Sequence, residues 1–253
     1  MLTQNKLIYI CTILFLLSSI SFGNEELAIV TKSKGNVDYK KSASLEFQKT
    51  VKSGLELYND DLLKTGDNGF VMFVYLDDGS LIKVHKNSEV YITGKIQDQN
   101  INKRVNAGDG FFRFDVKEQK GDEFTVVTPS SVASVKGTDF VIDVGPEGDV
   151  FYGFDGIVDI SNKISNTRQR LEKDNKVESL KTGNISVELM TEQDYIIIDN
   201  IESEVEVEEQ EVEPEDDDGS GSIDQIEETV KEIRITVLNE DGEEKEIIIR
   251  YTE

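Results

Sequence analysis

The sequence predicts an all-β fold: an antiparallel, hairpin-rich β-sandwich or short β-solenoid, followed by an acidic linker and a small helix-plus-hairpin module. Three observations predict it. Between Ala28 and Asp199, short runs rich in Val, Ile, Phe and Tyr alternate with polar residues and are broken at close intervals by Gly, Asn and Asp. Helical periodicity is nearly absent over that span. Asp-Gly pairs between the runs supply the positive φ angles that tight hairpins need.

At the start of the chain, Lys6 gives a short positive region, Leu7 to Ile20 is apolar, and Ser21-Phe22-Gly23 offers small residues for cleavage. Residues 1–23 therefore read as an export signal, because the apolar run is shorter than the roughly 20 residues that span hydrocarbon. The expected location is extracytoplasmic, periplasmic or secreted, with no transmembrane span after signal cleavage. Cys11, the single cysteine, lies inside that run and follows Ile10, so it does not suit a lipid-anchor site. The mature chain then has no disulfide, thiolate metal site or thiol nucleophile, and must hold together by burial.

The β-domain is expected over residues 28–199. Phe70 to Leu76 and Leu81 to His85 flank Asp77-Asp78-Gly79-Ser80 as a hairpin. Phe140 to Val144 and Val150 to Phe154 are joined by the turn residues Gly145-Pro146-Glu147-Gly148-Asp149, and Asp155-Gly156 supplies another turn. Ser161 to Lys176 is polar and reads as an exposed loop. Val177 to Leu180 and Ile185 to Leu189 flank Thr182-Gly183, and Gln193 to Asp199 finishes the domain.

An acidic linker is expected over residues 200–222. Glu alternates with Val from Ile201 to Pro214, and repulsion between like charges favours an extended, solvated chain. Fourteen of the 51 acidic residues fall between Ile201 and Glu228, a stretch without Lys or Arg. Nucleic acid is excluded as a partner on this charge, since phosphate binding requires a basic face. Residues 223–253 read as a small module: Ile223, Ile226, Val230 and Ile233 have helical spacing, and Arg234 to Asn239 and Lys245 to Tyr251 surround Asp241-Gly242 as a hairpin.

The stretch Thr128-Pro129-Ser130-Ser131-Val132-Ala133-Ser134-Val135-Lys136-Gly137-Thr138-Asp139-Phe140 ends a small-residue run in a Gly-Thr pair and restarts as a strand. It resembles the Thr-Pro…Val-x-Gly-Thr-x-Phe stretch of FecR-type domains. Gly35-Asn36-Val37, Asp61 to Gly66, Asp78-Gly79-Ser80, Gly108 to Phe112, Val150 to Phe154, Asp155-Gly156 and Ile157 to Ile160 follow the family's order. The likeness covers roughly Ala28 to Asp199. One position departs: the family's Gly-Asp before its Thr-Gly turn is replaced by Asn59-Asp60-Asp61. The resemblance implies a non-catalytic, sensor-like interaction module of the cell envelope. In regulatory members such a domain hears an outer-membrane iron transporter and signals through a membrane helix to a segment that binds a sigma factor, apparatus not expected in this chain. The expected partner is an envelope or outer-membrane protein, or a wall polymer.

The motif Asp216-Asp217-Asp218-Gly219-Ser220-Gly221-Ser222-Ile223-Asp224-Gln225-Ile226-Glu227 resembles an EF-hand calcium loop. Its ligand positions would be Asp216, Asp218, Ser220, the Ser222 carbonyl, Asp224 through water, and Glu227 with both oxygens, with Gly221 at the sharp turn. Ca2+ is thus the candidate ion, and a calcium-stabilised cell-surface structural protein is the alternative function. The bland reading of the same residues is an acidic linker ending in a flexible Gly-Ser patch. Catalysis is not expected. His85 is the only histidine and reads as an exposed strand residue, so no Ser-His-Asp set can be assembled. A carboxylate-based glycan hydrolase is the remaining enzyme reading, but the sequence nominates no pair of acids for it.

Overall fold

The computed structural model describes residues 26–97, 100–119, 124–207, 230–238 and 244–252. From its first strand the chain passes back and forth between two sheets. β1 (Glu26–Lys34) lies in the first sheet, β2 (Val37–Lys40) and β3 (Gln48–Lys49) in the second, β4 (Glu56–Tyr58) in the first and β5 (Asp61–Thr65) in the second. Hairpins then alternate. β6 (Phe70–Tyr75) and β7 (Leu81–Val84) enter the first sheet, β8 (Glu89–Gln97) and β9 (Asn100–Ala107) the second, and β10 (Gly110–Val116) the first. β11 (Phe124–Val127) and β12 (Ser131–Val135) return to the second, β13 (Thr138–Val144) and β14 (Gly148–Asp155) to the first. β15 (Val158–Asn162) and β16 (Arg168–Leu171) end the second sheet, and β17 (Asn175–Leu180) and β18 (Ile185–Leu189) end the first.

Among the described residues each sheet has nine strands, ordered β18-β17-β14-β13-β10-β7-β6-β1-β4 and β16-β15-β12-β11-β9-β8-β5-β2-β3. Strand order follows chain order along most of both sheets, so the fold advances as a solenoid does while its two sheets face each other as a sandwich. All recorded pairings are antiparallel except β9 with β11. One core fills the space between the sheets and includes Tyr39, Leu63, Phe73, Ile92, Phe112, Val126, Ile160 and Val177. Phe114 stacks on Phe140 at 4.9 Å, and Phe124 meets Phe114 edge-on, geometries that add to the area that aromatic side chains bury.

Local chemistry explains the turns. Gly79 and Gly156 both have φ of 74°, and the Asp78 carboxylate accepts hydrogen bonds from the Ser80 amide and hydroxyl. At Asn59-Asp60-Asp61, Asp60 takes the left-handed backbone with φ of 65°, the conformation that glycine favours. Asp61 is buried; its carboxylate accepts the Tyr39 hydroxyl at 2.6 Å, the Ser42 amide at 3.0 Å and the Tyr58 amide at 2.9 Å.

Strict alternation holds where a sheet has one covered face, as in β12, but fails in β6 and β13. In β13, Phe140, Val141 and Ile142 are all buried. A strand covered on both sides loses its period of two, and the cover over Val141 is a helix, α1 (Glu192–Val207). Gln193 to Asp199, expected to finish the β-domain, is helical, and the helix continues to Val207 where an extended linker was expected from Ile201. Thr191 and Asp194 form a reciprocal cap: the Thr191 amide and hydroxyl each donate to Asp194 Oδ2 at 2.6 Å, and the Asp194 amide donates to Thr191 Oγ1 at 3.3 Å.

The polar stretch from Ser161 to Lys176 also differs from the expected loop. It contains edge strand β16, in which Arg168 and Arg170 face solvent while Leu171 reaches the core. Near the C-terminus, β19 (Val230–Leu238) and β20 (Glu244–Thr252) form a separate antiparallel pair around the Asp241-Gly242 position. The helix expected over Ile223 to Glu232 gives way to strand at 230–232; residues 223–229 lie outside the described residues, as do the export signal at 1–23 and the whole of the calcium-like loop at 216–227.

Candidate interaction surface

Helix α1 lies on the outer face of the first sheet. Ile198 is buried against Phe111 and Val141, with Tyr152, Phe154, Met190 and Ile201 around it. Charges flank this small apolar contact. Lys176 Nζ lies 3.0 Å from Asp194, Lys83 Nζ lies 2.6 Å from Glu202, and Lys86 Nζ lies 2.5 Å from Glu204. Glu202 also has its Oε1 3.1 Å from His85 Nε2.

Burial works to raise the Glu202 pKa, but its hydrogen bonds to His85 and Lys83 outweigh that and hold it at about 2. Asp194 is also held below the usual carboxylate range: burial opposes this, while hydrogen bonds from Thr191 and Lys176 prevail. The expectation of an exposed His85 is overturned. It shares the outward face of its strand with Lys83, as its position implied, but α1 covers it and the rings of Phe70 and Phe111 meet it edge-on at 5.3 and 5.4 Å. Its chemical partner lies 117 positions away in sequence, so strand position alone left it bare.

Beside α1 an open groove of about 380 Å³ is lined by Arg113, Phe154, Tyr195, Ile196, Ile198, Asp199 and Glu202. The Arg113 guanidinium is fixed from two sides. It bonds both Asp139 oxygens, at 3.1 and 2.7 Å, and stands 4.8 Å from the centre of the Phe154 ring. Tyr195 closes one wall, edge-on to Phe154 and hydrogen-bonded through its hydroxyl to Asp174 at 2.9 Å.

Among the described residues the first sheet ends at β18, which pairs there only with β17. Val187 is 42% exposed and Leu189 is 74% exposed, although both lie on the same side of the strand as Ile185, which packs against the core. Ile196 and Ile197 on α1 are exposed as well. An apolar edge with unpaired backbone groups is a template for strand pairing.

The Thr128 to Phe140 stretch serves the scaffold. Thr128 Oγ1 bonds the buried Asp149 carboxylate and accepts the Ser131 amide at 2.9 Å; Ser131 Oγ bonds Ser179 Oγ at 2.8 Å, and Asn162 Nδ2 donates to the same Ser179 oxygen at 2.9 Å. These residues come from both sheets, so the cluster ties the sheets together at one end. Gly137 has φ of 118°, and a β-carbon there would come within 2.9 Å of the Glu118 backbone, which accounts for the glycine of the Gly-Thr pair.

Among the described residues no group of three or more His, Cys, Asp or Glu could hold a metal ion; Asp216, Asp218, Ser220, Ser222, Asp224 and Glu227 lie outside them. No described helix is long and apolar enough to cross a membrane.

No curated protein matches the chain. It is similar to two crystal structures of a candidate anti-sigma factor from Parabacteroides distasonis ATCC 8503. The structure at 2.50 Å resolution is 17% identical with a TM-score of 0.45, and the one at 1.65 Å is 16% identical with a TM-score of 0.43. Each likeness covers 53% of this chain and 62% of the other. A family model described as FecR protein matches residues 61–152, the span from β5 into β14. Over that span the chain is similar to the FecR protein family, and the motifs from Asp61 to Phe151 fall within the match.

Proposed function

We propose that the protein is a non-catalytic, sensor-like interaction module of the cell envelope, and that it meets an envelope protein by strand pairing at β18. The observation that carries this reading is the apolar, unpaired edge formed by Val187 and Leu189. A partner strand would gain main-chain hydrogen bonds there, while its apolar side chains would cover the uncovered end of the core. The similarity to the FecR family at 61–152 supports a regulatory or sensing role, and the apolar run Leu7 to Ile20 supports export. The buried histidine, which is engaged by Glu202 and two aromatic rings, supports a binding role over a catalytic one.

The test is retention of an envelope polypeptide by immobilised mature protein. The wild type should retain a defined partner that Val187→Asp/Leu189→Asp loses while melting at the same temperature. Equal retention by both proteins would overturn the assignment to β18.

A second reading rests on Asp216 to Glu227, whose full-length spacing suits calcium. Under it the protein is a cell-surface structural element whose acidic segment folds on the ion. Calcium should then protect residues 208–253 from protease and leave the β-domain's cleavage pattern unchanged; identical digestion with calcium and with chelator would rule this out.

A further inference from the structure

We infer that the outer face of the first sheet is a receptor for an acidic amphipathic helix, and that α1 is its resident, displaceable occupant. The face is built for such a ligand. Phe111, Val141 and Phe154 form an apolar strip, and Lys83, Lys86 and Lys176 stand around it, each on an acid of α1.

The helix itself is poorly suited to stand alone. Its first turn carries Glu192 and Asp194, which favour the positive end of the helix dipole, but its last turn carries no base. Glu202 and Glu204 sit toward the negative end, where like charge disfavours helix, and the lysines of the sheet and His85 offset that cost only while α1 is docked. Docking and helix formation are therefore coupled in the C-terminal half of α1.

The apolar anchor is small. Ile198 is the one buried apolar side chain among the described residues of α1, whereas Tyr195, Ile196 and Ile197 remain exposed. The 380 Å³ groove along one flank shows that α1 leaves part of the receptor face unfilled. Ion pairing thus carries a large share of the attachment, and a partner helix with acids at matching positions and a larger apolar residue for the groove over Phe154 would compete with α1. This face and the β18 edge are separate surfaces, so the inference does not depend on the strand-pairing assignment.

The experiment uses a fluorescein-labelled peptide with the sequence of residues 191–207 and the full mature chain. Ile198→Asp should loosen the resident helix and bind the peptide at least about tenfold more tightly than the wild type, and binding should weaken by roughly tenfold from 50 to 500 mM salt as the ion pairs are screened. A peptide with Glu202→Lys and Glu204→Lys should not bind. Equal affinity for wild type and variant, or no binding to the variant, would overturn the inference. If Ile198→Asp fails to fold, hydrogen exchange of the wild type decides. Amides of 195–204 should open faster at high salt while β10 and β13 are unchanged, and an α1 that exchanges only with the whole sandwich at both salt concentrations would overturn it.

Discussion

Acidification should undock α1 before it unfolds the sandwich. Glu202 is held at about 2 by Lys83 and His85, against an ordinary value of 4.5. Because the folded pKa is the lower one, this carboxylate adds stability above about pH 4.5 and loses it as the pH falls toward 2. The shift corresponds to about 3 kcal/mol at most, an upper figure that fits a side chain with 15% of its surface exposed. Asp194, held down by Thr191 and Lys176, acts in the same direction at the other end of the helix. Asp143 and Asp149, which burial pushes up, act in the opposite direction on the sandwich. Of the other charges that face this region, Arg113 is paired with Asp139, and the exposed pair of Glu204 with Lys86 adds little. The assay is the Ile198 methyl resonance, which the rings around Phe111 should shift away from its free position, followed from pH 5 to pH 2. The methyl should move to its undocked position in the wild type. In Glu202→Gln it should already be partly undocked at pH 5 and show a much smaller pH response. A docked methyl at pH 2 in the wild type, or identical titrations of the two proteins, would refute the assignment of α1 attachment to Glu202.

Three further outcomes follow from the same contacts. Asp61→Asn places an amide donor against the Ser42 or Tyr58 amide and should cost about 1–3 kcal/mol in urea unfolding. Asp60→Gly should leave stability within about 0.5 kcal/mol, whereas Asp60→Val should lose about 1–2 kcal/mol, because φ of 65° suits glycine and not a β-branched residue. Thr191→Ala removes the cap from α1 and should speed exchange of the first-turn amides by an amount equivalent to about 1 kcal/mol, leaving β10 and β13 unchanged.

Local chemistry made much of the sandwich legible. Asp78-Gly79 and Asp155-Gly156 specify turns by themselves, and the alternation in β12 reveals which side meets the core. Asp61 and Thr128 belong to motifs that the FecR likeness marks, although their roles as buried acceptor and inter-sheet tie emerge only from partners such as Tyr39 and Asp149. The helix was less visible. Glu and Val alternate from Glu202 to Val207, which imitates a strand, while the signal for helix lay upstream in Thr191-x-x-Asp194 and in the spacing of Asp194, Ile198 and Ile201. Its bases, Lys83, Lys86 and His85, are more than 110 positions away, so neither the cover over His85 nor the relief of repulsion among the acids can be read from a local window. β16 was hidden by its composition, since only Leu171 of its four residues reaches the core.

Strand pairing at β18 is tested most directly by a photo-crosslinking amino acid placed at Val187 or at Leu189 in the full chain, expressed in its own cells. The account predicts one discrete protein adduct from each position and none from Lys64, an exposed residue of the second sheet. No adduct from either edge position, or the same adduct from Lys64, would contradict it.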